Sequence, residues 1–296
     1  MRDFRFGFTL GNVPSYRQAR DTMATAEEYG FDIALAVEHL GTGRTSPFQG
    51  LLAAATTTDR LRIGTYVLNN GYWNPTILAR EVATAVRLSG GRFELGLGAG
   101  IVKEQYDAAR IPWHPFGERM DRLAATIEEV DALLALEEDV ERPPLLLGGA
   151  SERALRLAAE RADIVSFGGR FQLPGEPPGT MRIIKAAEAD RRVAFFREIA
   201  GPRADEMEWN AFVLVVEVTD DRRAVAERIA AEKVPYLQLD DVRDALESPF
   251  MLIGTEEEIA RRILENRERY GFSYICVQRP HMDVLGPIIK RVRDLA

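Results

Sequence analysis

The sequence predicts an α/β fold, a single (β/α)8 barrel over residues 1–296, and three observations predict it. Eight short β-rich runs recur along the chain. Longer stretches with apolar residues every three to four positions, the period of an amphipathic helix, separate them. No linker-like composition divides the chain in two. Strict alternation of this kind is what parallel βαβ units produce, and eight is the number that closes a barrel.

The first run is RFGFTL (5–10), followed by the helical pattern YRQARDTMATAEEYG, which Gly30 ends. DIALAV (32–37) is the second. LRIGTYVL (61–68) is the third, and it leads into NPTILAREVATAVRLSGG, closed by Gly90. FELGLG (93–98) is the fourth. PLLLGG (144–149) is the fifth and runs into SERALRLAAERA, where Ser151 is placed to cap a helix. DIVSFGG (163–169) and NAFVLVVEV (210–218) are the sixth and seventh. TEEEIARRILENRERYG opens on a Thr255/Glu258 capping box and closes at Gly271, before the eighth run, SYICVQ (273–278). Several runs are continuously apolar, as strands covered on both faces require. Two segments break the rhythm. Gly168 to Pro178, GGRFQLPGEPP, is too long for an ordinary barrel loop and is a candidate lid. GPRADEMEW (201–209) reads as a plain surface connection.

Composition removes several function classes. The net charge is -8 with both signs interspersed, so no basic stripe exists to neutralise nucleic-acid phosphates. No apolar stretch approaches the roughly 18 residues of a membrane span, and the opening MRDFRFGFTLGNV has too short an apolar run for a signal peptide. A cytoplasmic protein acting on a small molecule is expected. The single cysteine, Cys276, sits in SYICV and reads as a small buried hydrophobe. The histidines are scattered without a carboxylate motif, so no metal site is expected.

In such barrels the functional groups follow the strand C-termini. The second strand ends in Glu38 and His39, which put a carboxylate and an imidazole at the mouth. Either can move a proton, and a neighbouring Glu favours the charged imidazole; the plain alternative is a pair that organises a polar loop. His281, after the eighth strand, is a weaker candidate, and His114 is a weaker one still. The third strand carries Thr65, Tyr66 and Val67, then Asn69, Asn70, Gly71 and Tyr72. The fourth delivers Gly96, Gly98, Ala99 and Gly100, where missing side chains admit either a flat ring or tight barrel packing. It lacks the third glycine and the acidic residue of a dinucleotide fingerprint. The fifth ends in Gly148, Gly149, Ala150 and Ser151 at a helix start, which suits a phosphate and also suits an ordinary cap.

Five stretches in order, YGFDIALAVEHL, RLRIGTYVLNN, LARE with LSGGRFELGLGAG, PPLLLGGASERALRLAAERADIV and SPFMLIGTEEEIARRILENRERYGFSYICV, span almost the whole chain. Together they resemble the luciferase-like monooxygenase superfamily, specifically its coenzyme F420-dependent oxidoreductase branch. The resemblance implies a barrel that holds a deazaflavin or flavin ring at the strand C-terminal ends, commonly as a homodimer. It implies a cis peptide between Tyr66 and Val67 behind the ring, cofactor contacts from Thr65 to Val67 and from Gly98, Ala99 and Gly100, and phosphate contacts from Gly148, Gly149, Ala150 and Ser151. Glu38 and His39 take the family's Asp-His position, with Glu in place of Asp. The branch's sugar-phosphate dehydrogenases carry a tryptophan after that pair and an acidic residue after the Gly-rich loop. Here Gly43, Arg44 and Ile101 occupy those neighbourhoods, so a sugar phosphate is not the expected substrate. Glu104 is a further pocket candidate. Arg170, Arg182 and Lys185 are candidates to meet the cofactor's acidic tail, and exposed apolar residues on the helices after strands two and three are candidates for a dimer interface.

The leading expectation is hydride transfer between F420 and a small organic substrate at a C=C or C=N bond, with His39 handling the proton. The alternative is an FMN-dependent monooxygenase using the reduced flavin. A barrel that carries a flavin without turnover is a third reading.

Overall fold

The backbone of the computed structural model describes residues 2–149, 151–176, 179–232 and 234–296. Its strands are β1 (Arg5–Thr9), β2 (Ile33–Ala36), β3 (Arg62–Thr65), β4 (Leu68–Asn69), β5 (Phe93–Gly98), β6 (Leu145–Gly148) and β7 (Ile164–Gly168). They continue as β8 (Arg170–Gln172), β9 (Met181–Ile183), β10 (Glu208–Val213), β11 (Val215–Val218), β12 (Met251–Gly254) and β13 (Tyr274–Val277). The main sheet runs β3-β2-β1-β13-β10-β7-β6-β5-β4, and β3 also pairs with β5, which closes the barrel. β3 and β4 are two halves of one staved strand, parted at Tyr66–Val67, where the peptide bond is cis as the resemblance implies. All eight staves match the runs read from the sequence, and every pairing among them is parallel.

Alternation along each strand sorts side chains between lumen and helix layer. Ile33, Leu35, Leu146, Ile164, Tyr274 and Cys276 pack inside the barrel, with Tyr66, Val67 and Phe212 against them. Phe6, Phe8, Ile63, Phe93 and Leu97 point outward into the larger core beneath the helices. The lumen's N-terminal end is sealed by charge: Arg5 bridges Glu94 at 2.6 Å and Glu208 at 2.5 Å, and Arg62 reaches Glu94 at 2.6 Å. A cavity of about 610 Å³ opens below this plug, at the pole opposite the candidate site.

The helices follow their end signals. Ser15 Oγ accepts from Gln18 N–H at the start of Tyr16–Tyr29, and Gly30 ends that helix at φ 82°. Asn74 caps Pro75–Leu88, and the Thr255/Glu258 capping box forms as expected.

Two readings need correction. The seventh run is not one strand: β10 stays in the barrel, while β11 leaves it and pairs in parallel with β12, a strand absent from the sequence reading. Val213 at the end of β10 and Val215 and Val216 at the start of β11 are all buried, so composition does not mark the break. The 201–209 connection holds a short helix, Arg203–Glu206, and gives its last two residues to β10. There the Arg203 guanidinium donates to the carbonyls of Ala159 and Ala162, which ties the segment to the end of the helix Glu152–Arg161.

The Gly/Pro-rich segment after the sixth stave forms an antiparallel hairpin of β8 and β9, with Pro177 and Pro178 outside the described residues. Arg182 pairs with Glu188 at 2.7 Å, and Lys185 pairs with Asp240 at 2.8 Å and Asp244 at 3.1 Å. Both cations are thus neutralised within the protein. Arg170 donates to the Tyr236 carbonyl at 3.2 Å.

Candidate functional site

At the C-terminal end of β2 the chain leaves the sheet, and Glu38 and His39 turn to different partners. The Asn69 N–H, at the end of β4, donates to Glu38 Oε2 at 2.7 Å, and the Trp73 indole N–H lies 3.2 Å from both carboxylate oxygens. Burial pushes the Glu38 carboxyl up to about 7, although both donors favour its charged form. His39 Nδ1 lies 3.1 Å from the Gln105 amide nitrogen, on the helix Lys103–Ala109 that follows β5. Burial lowers the His39 pKa. The expected support of a charged imidazole by Glu38 is therefore not what the site provides.

The Gly98–Gly100 loop is fixed from behind. Arg119 Nε donates to the Ala99 carbonyl at 3.1 Å and a second guanidinium nitrogen to the Gly100 carbonyl at 3.4 Å, while the guanidinium lies 3.7 Å from the centroid of the Trp113 ring. Gly100 has φ +79°, and a Cβ there would stand 2.5 Å from Asn69 Oδ1 and from the Tyr106 hydroxyl. A Cβ on Gly98 would stand 2.8 Å from Val67, and on Gly148 and Gly149 2.7 Å from the Ser166 carbonyl and 2.6 Å from the Ala154 methyl. The bare side of each of these glycines therefore faces protein, and close packing accounts for them directly.

Thr65 is buried, and its hydroxyl donates to the Gly96 carbonyl at 2.9 Å and accepts from the Gly96 N–H at 2.8 Å. It fills the ladder where β3 breaks. Behind the cis bond, the Tyr66 hydroxyl lies 2.5 Å from Ser166 Oγ and donates to Asn210 Oδ1 at 2.9 Å, and Phe212 packs on its ring at 5.2 Å. Burial holds the Tyr66 phenol well above its ordinary range, so it remains a donor. Ser151 Oγ accepts from Ala154 N–H and caps the helix Glu152–Arg161; Ala150 lies outside the described residues. Earlier N–H groups of that first turn have no intrahelical acceptor and form a donor set suited to an anion. Val37, Leu40 and Ile101, from the loops after β2 and β5, expose apolar side chains at this end of the barrel.

The other candidates take no part in these contacts. His281 Nδ1 accepts from Val216 N–H at 3.4 Å in a structural position, His114 pairs with Glu118 at 3.2 Å near the surface, and Glu104 is exposed. Among the described residues no group of three His, Cys, Asp or Glu side chains is placed to hold a metal ion, and no helix is long and apolar enough to cross a membrane.

A model of the family described as luciferase-like monooxygenase matches residues 4–274. The chain belongs to the luciferase-like monooxygenase family. It is 33% identical to an F420-dependent glucose-6-phosphate dehydrogenase of Nocardia farcinica (strain IFM 10152) over 142 residues, 45% of this chain and 42% of that protein. That match spans less than half of the relative. Among solved structures, an F420-dependent secondary alcohol dehydrogenase in complex with an F420-acetone adduct aligns with TM-score 0.76 at 18% identity, over 99% of this chain and 100% of that one. The monooxygenase RslO1 from Streptomyces bottropensis aligns at 0.70 and 20% identity, over 97% and 99% of the two chains. A coenzyme F420 dependent tetrahydromethanopterin reductase from Methanopyrus kandleri aligns at 0.71 and 17%, over 98% and 100%. Identities this low show the shared fold.

Sequence reasoning on this luciferase-like chain named Asn69 only as part of a strand and turn, and missed Trp73, Gln105, Arg119, Ser166 and Asn210. The signal available was positional: Asn69, Ser166 and Asn210 sit on staves, and the others lie in or beyond the loops after β4 and β5. Nothing in the sequence pairs Gln105 with His39, 66 residues away.

Proposed function

We propose that the protein is an F420-dependent oxidoreductase that transfers a hydride between the deazaflavin and a small organic substrate, with reduction of a C=C or C=N bond as the favoured reaction. The observation that carries this reading is the mouth itself. A half-buried carboxyl that its surroundings push up to about 7 and a half-buried imidazole stand side by side at the end of β2, each held by its own partners, beside an apolar rim and a clamped Gly-rich loop.

The residues present fit a flat ring with a phosphate arm. Val37, Leu40 and Ile101 offer apolar surface, Gly98 to Gly100 offer main chain, and Ser151 with the first turn of Glu152–Arg161 offers anion donors. When bound, F420 supplies the two-electron hydride chemistry, and the protein supplies orientation and proton handling. In this reading Glu38 and His39 are the catalytic pair, Glu38 because burial raises its carboxyl to about 7 and His39 because Gln105 engages Nδ1 and leaves Nε2 for the substrate. Ile101 is 76% exposed where a sugar-phosphate enzyme of this branch carries an acid, which supports a less polar substrate. Of the helices proposed for a homodimer interface, Pro75–Leu88 exposes Ile77 and Leu88, whereas Pro47–Ala55 exposes no large apolar side chain.

Fluorescence titration of the protein with F420 and FMN in parallel tests the reading. Tight binding of F420, with a turnover loss of about a hundredfold or more in His39→Ala and retained affinity, supports it. Preference for FMN moves the function to the monooxygenase. Binding of neither removes the site, and binding without consumption of reduced cofactor by any unsaturated acceptor makes the protein a carrier.

A further inference from the structure

We propose that Gln105 is a positioning residue that fixes His39 in its neutral tautomer with the proton on Nε2, so that His39 meets the substrate as a hydrogen-bond donor and not as an imidazolium. The inference rests on the catalytic placement of His39 above and adds its protonation state.

The Gln105 carboxamide decides the tautomer. Gln105 Oε1 receives the Leu40 N–H at 3.1 Å and the Tyr72 hydroxyl at 3.2 Å. A main-chain N–H can only donate, so the atom it meets must be the amide oxygen. The Tyr72 phenol is held above its ordinary range, by burial first, and stays a donor as well. With the oxygen committed to two donors, the amide group that reaches His39 Nδ1 at 3.1 Å is the NH2, which donates. Nδ1 must then present its lone pair, and the ring proton lies on Nε2.

Charging the ring would put an N–H on Nδ1 against the amide NH2. Turning the carboxamide over would relieve that clash, but only by taking the acceptor away from Leu40 and Tyr72. Burial, and after it Arg44 from the loop after β2, disfavours an imidazolium, and Glu38 is turned to Asn69 and Trp73. A neutral imidazole that donates from Nε2 polarises a carbonyl or imine without giving up its proton. The exchangeable proton at this mouth is then the one on Glu38.

Protein labelled with 15N-histidine tests this without cofactor, by the two-bond nitrogen–proton correlations of the ring, with His39→Ala assigning the signal. The expected spectrum shows protonated Nε2 and bare Nδ1 at pH 8, and the ring takes its second proton only below the pH at which a free histidine does. Gln105→Glu, whose carboxylate accepts from Nδ1–H, should reverse the tautomer or raise the titration midpoint by at least one pH unit. Gln105→Met, which cannot bond the ring, should show both tautomers if the Glu variant does not fold. A wild-type spectrum with the proton on Nδ1, or one that neither variant changes, overturns the proposal. Failure to bind F420 or FMN would overturn the oxidoreductase reading and leave these spectra standing.

Discussion

Glu38→Gln should make the protein more stable in alkali and no more stable in acid. Burial raises the Glu38 carboxyl from 4.5 to about 7, a difference of about 2.5 pH units, and each unit is worth about 1.4 kcal/mol. The sign follows from linkage. With the folded pKa above the unfolded one, the folded state binds the proton more tightly, so this group's contribution is complete below pH 4.5 and is lost as pH rises through 7. Wild type should therefore lose about 3 kcal/mol through this group between pH 4.5 and pH 9. The carboxamide keeps one acceptor oxygen for the Asn69 N–H, 2.7 Å away in wild type, and carries no charge to bury. Urea unfolding of both proteins at pH 5 and pH 9 gives the comparison, and the difference between the differences isolates Glu38 from every other titrating group. Expected is a variant near wild type at pH 5 and about 3 kcal/mol more stable at pH 9. Parallel pH dependence in the two proteins would refute the raised carboxyl and with it the assignment of the exchangeable proton.

Gly100→Ala places a methyl 2.5 Å from Asn69 Oδ1 and the Tyr106 hydroxyl on a backbone at φ +79°, and should cost about 2 kcal/mol or more; an unchanged urea midpoint would show that the loop gives way freely. Arg5→Met strips the counter-charge from Glu208 and one of two from Glu94, and should cost about 3 kcal/mol. Because burial already raises the Glu208 carboxyl against the pull of Arg5, the loss should be larger at pH 8 than at pH 5, and equal losses would contradict a buried, charge-held plug.

The staves were legible because a strand covered on both faces must be apolar throughout, and because Gly30, Gly271, Ser151 and Thr255 mark helix ends by local chemistry. Glu38 and His39 were legible from position alone, at the end of a stave. What was not legible is pairing across distance. Thr65 reads as a mouth residue, and only the register of β3 beside β5 shows its hydroxyl closing the ladder at Gly96. Gly98 reads equally well as a ring contact or a packing site, and Gly148 as a phosphate contact or part of a helix cap, and only the neighbouring strands show where a Cβ would collide.

The sequence by itself determined the barrel, its order of elements and the family, since periodicity, caps and motif order are properties of short stretches. The tertiary structure alone decided the departure of β11 to β12, the neutralisation of Arg182 and Lys185, and the partners of Glu38 and His39. Those depend on which residues far apart in the chain are brought within hydrogen-bond distance. A hydrogen bond is settled by tenths of an ångström and by which side donates, and neither is written in residue spacing.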